Sequence, residues 1–294
     1  MLGEFVLSDS FLWVLVVVFA AIVGSFLNLA IYRLPKMMEA SFLESIDIFY
    51  KYRKAKKSNN LDRLEIRPAA RQLSLFFPGS FCPLCKVPIL WRHKIPLLSF
   101  FFLKGGCANC RAPISWSYPI VEFLAIVTAL ISFSKSGLSL NFFALITFSW
   151  ILIVLSFIDL ENQILPDEVT YFLLWSGLFF SLFPVFISTK EAVIGALAGY
   201  FFFYFIATIF HLITKRIGLG EGDYKLLAAL GSFVGWKSLS LVVAGASLFG
   251  LLYFLIIYFF KGSRVSKIPF APFLSLAGLI VLFNGAAVSK FFYG

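Results

Sequence analysis

Residues 139–167 read SLNFFALITFSWILIVLSFIDLENQILPD, and the fold turns on them. An uncharged, mostly apolar run over 142–158 is followed at once by Asp159, Glu161 and Asn162, then by Pro166 and Asp167. Crossing a bilayer takes about 20 such residues, so the run reads as a membrane-spanning helix. Asp159 at its edge is a carboxylate against apolar surroundings, which is costly and marks a functional candidate.

Working outward, runs of similar length recur along the chain. Sixty per cent of its 294 residues are hydrophobic and 14% are charged. The reading is an all-α polytopic membrane protein with about eight transmembrane helices. They are expected near 11–32, 117–134, 139–158, 168–187, 191–213, 224–236, 239–260 and 269–289. The sixth is short and contains Gly231 and Gly235, so it is either a crossing or a half-buried segment. The first run opens with Glu4 and Asp9 instead of a basic region, and its apolar stretch is too long for a cleavable signal peptide. Three blocks emerge: 1–35 with the first span, 36–116 as a polar segment, and 117–294 as the helical bundle.

Charge sets the orientation. Most of the 25 Lys and Arg fall between Arg33 and Arg111. If that segment is cytoplasmic, Lys215, Arg216, Lys225, Lys261, Arg264 and Lys267 are also inside, and only Lys135, Lys190, Lys237 and Lys290 lie outside. This is the positive-inside pattern, with both termini outside. Topology and attraction to anionic membrane lipid account for the net charge of +10 without a nucleic-acid partner.

The polar segment has two parts. Residues 39–71 are charge-rich, with Phe42, Ile46, Phe49 and Tyr50 at helical spacing, and read as one or two helices near lipid headgroups. Residues 77–117 are rich in Pro, Gly and Cys, the composition of a loop-rich knuckle. It carries all four cysteines, as Cys82-Pro83-Leu84-Cys85 and Cys107-Ala108-Asn109-Cys110. Two such hooks present the four thiolates of a tetrahedral structural zinc site. Two disulfides or a redox pair are the other readings, and disulfides would need an oxidising compartment. His93, between the hooks, reads as a surface residue.

A second carboxylate, Asp223, ends the turn Gly218-Leu219-Gly220-Glu221-Gly222-Asp223, and another apolar run follows. Asp159 and Asp223 facing one site would share a proton and serve as general base and general acid on a peptide bond. Gly220 and Gly222 would let the backbone break and a substrate strand approach. Alternatively Asp223 only caps the next helix and Asp159 is interfacial. Asp167 reads as the cap of the fourth span. Glu122, near the start of the second span, either pairs with a base of the cytoplasmic domain or lines a cavity. Lys225 either pairs with a carboxylate or reaches to the headgroups. Gly24, Ser25 and Asn28 read as close helix packing with one interhelical hydrogen bond, and His211 as structural.

Taken in order, these strings resemble the type IV prepilin peptidases, bacterial inner-membrane aspartyl proteases of type IV pilus and type II secretion systems. The resemblance runs nearly end to end. It rests on Gly24-Ser25-Phe26-Leu27-Asn28 with Arg33-Leu34-Pro35, both cysteine hooks, Tyr118-Pro119 with Glu122, the Asp159–Asp167 stretch, and the Gly-x-Gly-Asp turn followed by Lys225. It implies cleavage of the basic leader of prepilins and pseudopilins at the cytoplasmic membrane face, with Asp159 and Asp223 as the catalytic pair. It further implies N-methylation of the new N-terminus with S-adenosylmethionine as donor, with the cysteine-bearing domain involved. Trp91, Pro96 and Gly105 match the pattern between the hooks, whereas Lys94 and Gly106 depart from it. A peptidase without methyl transfer, or a transporter using the two acids as an ion relay, are the alternatives.

Overall fold

The computed structural model describes residues 9–57, 74–77, 79–82, 84–89, 96–183, 185–216, 218–261 and 268–284. Eight helices follow in order: α1 (Asp9–Lys57), α2 (Pro96–Phe102), α3 (Ser117–Ser136), α4 (Leu140–Asn162), α5 (Asp167–Ser181), α6 (Thr189–Thr214), α7 (Glu221–Lys261) and α8 (Ala271–Phe283). Among the described residues there is no β-strand, only two isolated bridges in the cysteine segment.

α4 is the spine of the bundle because it is apolar all round, the pattern of a helix buried on every side. Phe142, Ile146, Trp150, Ile153, Val154 and Ile158 face one cluster with α1 and α3. Phe148, Leu152 and Leu155 face a second, built with α5, α6, α7 and α8. Asp159 follows directly on Ile158, so the carboxylate emerges where the two clusters meet.

Among the described residues five helices are long and apolar enough to cross a membrane: α1, α3, α4, α6 and α7. The chain is a polytopic membrane protein. α5 and α8 are shorter than the expected spans, at 15 and 13 residues. The expected sixth and seventh spans are joined in the 41-residue α7, which breaks at Gly235 (φ 75°, ψ 166°). That left-handed backbone is open to glycine and strained for other residues. The first part of α7 runs antiparallel along α6, with Gly231 against Gly195 and Leu227 against Gly199. Tyr224 therefore comes level with Tyr200 and Tyr204. α6 continues to Thr214, about 15 Å further. The turn before Asp223 thus lies well short of the end of α6, and Gly218 of that turn packs beneath the Phe210 ring.

α1 is one helix of 49 residues that runs through Pro35 without ending. Of the helices expected in 39–71, it supplies the part up to Lys57, and residues 58–73 lie outside the described residues. Along this stretch Phe42, Leu43, Ile46, Phe49 and Tyr50 are exposed.

Candidate active site

The cysteine segment is two copies of one turn. Cys82 N–H donates to Val87 and Lys86 N–H to Cys82; Cys107 N–H donates to Ala112 and Arg111 N–H to Cys107. Bridges Phe81 to Pro88 and Gly106 to Pro113 close the two loops. Lys86 and Arg111 hold matching left-handed backbones, φ 59° and 58°. The repeat is legible in Cys85-Lys86-Val87-Pro88-Ile89 against Cys110-Arg111-Ala112-Pro113-Ile114, although spacing alone did not bring it out.

The four sulfurs lie within 4.8 Å of one another, and Cys82 and Cys110 Sγ are 3.8 Å apart. Zinc–sulfur bonds of about 2.3 Å in a tetrahedron place sulfurs ~3.8 Å apart. The cysteines are free thiols, not disulfides. The cluster can hold a metal ion. Main-chain N–H groups of Cys110 and Asn109 bring the Cys107 thiol down to about 6, and those of Val87, with the Asn109 side chain, lower Cys85. Cys110 is pushed up to about 11; the Ala112 N–H opposes this, but desolvation and the neighbouring thiols outweigh it. Four thiolates this close need a cation among them.

Glu122 joins this segment to the bundle. It is fully buried on α3, and its Oε2 accepts the Leu97 N–H in the first turn of α2. Its Oε1 has no hydrogen-bond partner among the described residues. The link to the cysteine segment is thus through main chain, and among the described residues no basic side chain bonds to Glu122. Gly24 of α1 lies against it, where a Cβ would come 3.1 Å from the Glu122 Cα. One turn on, Asn28 donates to the Tyr118 carbonyl (2.9 Å), the interhelical bond expected there. Arg33, 2% exposed, donates to the carbonyls of Ser74, Leu75 and Gly79 and so holds the start of the knuckle. Trp91, His93 and Lys94 lie outside the described residues, as does the Pro96 side chain. Gly105 (φ 71°) sits against the Phe100 ring.

The two aspartates come together. Asp159, 7% exposed, lies in the last turn of α4; Asp223 lies in the first turn of α7, and the Asp159 charge bears on it. Asp223 is the third residue of its helix and not the cap preceding it; its N–H donates to the Gly220 carbonyl (3.2 Å), and Gly220 lies against its carboxylate. Gly222 packs α7 against the linker from α4: a Cβ there would lie 2.7 Å from the Leu165 Cβ. Its small size brings α7 close to the chain that follows Asp159. Ala271 N–H donates to Asp159 Oδ2 (3.0 Å) and Phe270 N–H reaches the same carboxylate. The sequence reading did not single out 270–271, since main-chain donors leave no side-chain signature.

Asp167 is not a cap. Pro166 occupies that position, and Asp167 is the first helical residue of α5. Its carboxylate takes both bonds from Lys225 Nζ, 2.7 and 2.8 Å. This decides between the two expectations for Lys225, whose ammonium also lies over the Tyr171 ring at 5.7 Å. Glu221 is exposed, and His211 Nδ1 lies 3.3 Å from the Arg216 carbonyl.

Family models match both halves of the chain. One, described as the bacterial peptidase A24 N-terminal domain, covers residues 18–136, and the other, the type IV leader peptidase family, covers 146–255. An Aeromonas salmonicida protein named prepilin leader peptidase/N-methyltransferase is 36% identical over 95% of this chain and 92% of its own. The chain belongs to the type IV leader peptidase family.

Family members of the same name from Legionella pneumophila and Dichelobacter nodosus are 35% and 39% identical. They cover 97% and 93% of this chain, and 95% and 92% of their own lengths. No solved structure matches the chain. The first family model contains Glu122 and the cysteine cluster, and the second contains Asp159, Asp167, Asp223 and Lys225.

Proposed function

We propose that this protein is a prepilin leader peptidase that also N-methylates the cleaved product, acting on prepilins and pseudopilins. The observation that carries the peptidase reading is the meeting of Asp159 and Asp223, from α4 and α7, where Asp159 is buried and bonded by main-chain donors of α8. Two carboxylates in one polar spot within an apolar bundle have few uses besides sharing a proton. One activates water and the other protonates the scissile carbonyl oxygen, and neither a nucleophilic side chain nor a catalytic metal is needed.

Supporting residues follow from the geometry. Lys225 with Asp167 ties α5 to α7, Gly222 sets the approach of α7 to the 163–166 linker, and Gly220 lies against the Asp223 carboxylate. Cys82, Cys85, Cys107 and Cys110 hold structural zinc, which would supply folding free energy to a segment without much core. Glu122 couples that domain to the bundle. S-adenosylmethionine supplies the methyl group. Among the described residues nothing forms a cradle for it, and Trp91, Pro96 and Gly105 are candidates by resemblance. The division into 1–35, 36–116 and 117–294 assigns methyl transfer to the second block and proteolysis to the third. The inner membrane is the location, with the knuckle and the aspartates toward the cytoplasm, a reading that the charge asymmetry supports.

The test is to incubate the purified protein with a prepilin, with and without S-adenosylmethionine, and weigh the products. Leader loss in both and a gain of one methyl group only with the donor is the expected result. An unmethylated N-terminus in both would leave a peptidase alone, and an intact leader would overturn the reading.

A further inference from the structure

Asp159 stands at the wrong end of its own helix for a negative charge. Gln163 N–H donates to the Asp159 carbonyl (2.9 Å) to close α4. The carboxylate therefore lies in the last turn, where free carbonyls and the helix dipole oppose an anion. With 7% of the residue exposed, little water is available to offset this.

A second helix offsets it instead. Phe270 is the cap of α8 and Ala271 its first helical residue. The Ala271 N–H is spent on the Asp159 carboxylate (3.0 Å), and the Phe270 N–H faces the same group. The next residue, Pro272, has none to give, and Phe273 N–H turns to the Phe270 carbonyl (3.1 Å). Helix-start donors have no partner within their own helix and favour an anion. Asp223, in the first turn of α7, has one main-chain donor bearing on it, the Gly220 N–H, against the two at Asp159.

We propose that the start of α8 divides the proton of the pair, holding Asp159 ionised as the base and leaving the proton on Asp223 as the acid. This rests on the peptidase reading. In the first step Asp159 takes a proton from water as the water oxygen bonds to the scissile carbon, and Asp223 gives its proton to the carbonyl oxygen. In the second the carbon–nitrogen bond breaks, the amine takes the proton from Asp159, and Asp223 recovers one from a hydroxyl of the intermediate. Both acids end as they began.

Of the other charged groups on the surrounding helices, Glu161 of α4, Glu168 of α5 and Glu221 of α7 are exposed. Arg33 of α1 bonds knuckle carbonyls, Glu122 of α3 accepts from Leu97, and Asp167 of α5 pairs with Lys225 of α7. α8 carries no charged side chain. The Asp159 charge bears on Asp223, and no third titratable group among the described residues is found to bear on either.

The test replaces single main-chain amides by esters, using α-hydroxy acids installed by suppression in cell-free synthesis of the full chain. An ester at 271 removes the donor to Asp159; an ester at 273 removes a donor within α8 and spares Asp159. The pH profile of kcat/KM for prepilin cleavage is then recorded. Losing one bond to a charged group should move the acid limb of the 271 variant upward by about one to two pH units. The 273 variant should keep the acid limb of the wild type. A 271 variant whose acid limb coincides with that of the wild type overturns the proposal. Should that ester fail to fold, Ala271→Pro removes the same N–H at a position where proline suits a helix start, and the same shift is required of it. Cleavage by Asp159→Asn or Asp223→Asn would instead overturn the peptidase reading, whatever the limb does.

Discussion

Lys225 donates both to Asp167 Oδ1 and to Asp167 Oδ2, at 2.7 and 2.8 Å, and so ties the start of α5 to the start of α7. These two helix starts flank the site that Asp159 and Asp223 form. Half of the Asp167 side chain is exposed, so the pair should contribute only about 0.5–1 kcal/mol to stability. Its effect on position should be larger. Lys225→Met is expected to lower kcat/KM for cleavage by about tenfold, because small displacements in an acid–base site are costly. Asp167→Asn should do the same, and the double variant no more than either. Additive losses in a double-mutant cycle would show that the two residues act apart.

Gly222 is where the α7 start meets the 163–166 linker. A Cβ there would sit 2.7 Å from the Leu165 Cβ. Gly222→Ala should cost about 1–3 kcal/mol and reduce cleavage as α7 is pushed aside. Leu165→Ala in the same chain should restore part of both. Thermal melts and initial rates measure this, and an unrescued double variant would mean that Gly222 serves something other than this packing.

Glu122 joins α3 to the start of α2, and on the proposed function its removal should separate two activities. With Ala at 122 the Leu97 N–H loses its buried acceptor, loosening α2 while leaving the aspartates in place. Methylation of a pre-cleaved substrate should fall by about tenfold or more, with cleavage falling less. Gln at 122 keeps an acceptor and should retain more methylation. Equal losses of both activities in both variants would count against a coupling role.

The thiol cluster should bring one zinc per chain, measured by elemental analysis. Cys82→Ser and Cys107→Ser should release it and weaken methylation. Acidification should release it too, since protons compete for the thiolates. A wild-type protein free of zinc and other metal would refute the site.

Much of this site was legible in the sequence because its parts are costly. Asp159 against a long apolar run, and paired cysteine hooks in a polar segment, are unexplained unless they do something. What escaped notice was cheap in sequence terms. The α8 donors are main-chain groups of Phe270 and Ala271, residues of no special chemistry. The Lys225–Asp167 pair joins residues 58 apart, and local reading made Asp167 a cap because aspartate before a helix usually is one. The join of two expected spans in α7 depends on a single glycine, and apolar length does not reveal whether a chain kinks or turns. α1 runs on past the expected end of the first span near 32 and through Pro35, because apolar length marks where a span ends and not where its helix does.

The central claim is that Asp159 and Asp223 act as one acid–base unit, and single replacements test it most directly. Asp159→Asn and Asp223→Asn, purified and shown by thermal melting to be folded, are each assayed for release of a prepilin leader. Each should lose about 10³-fold or more in cleavage, because neither half of the pair can work alone. Retention of substantial cleavage by either folded variant would contradict the account.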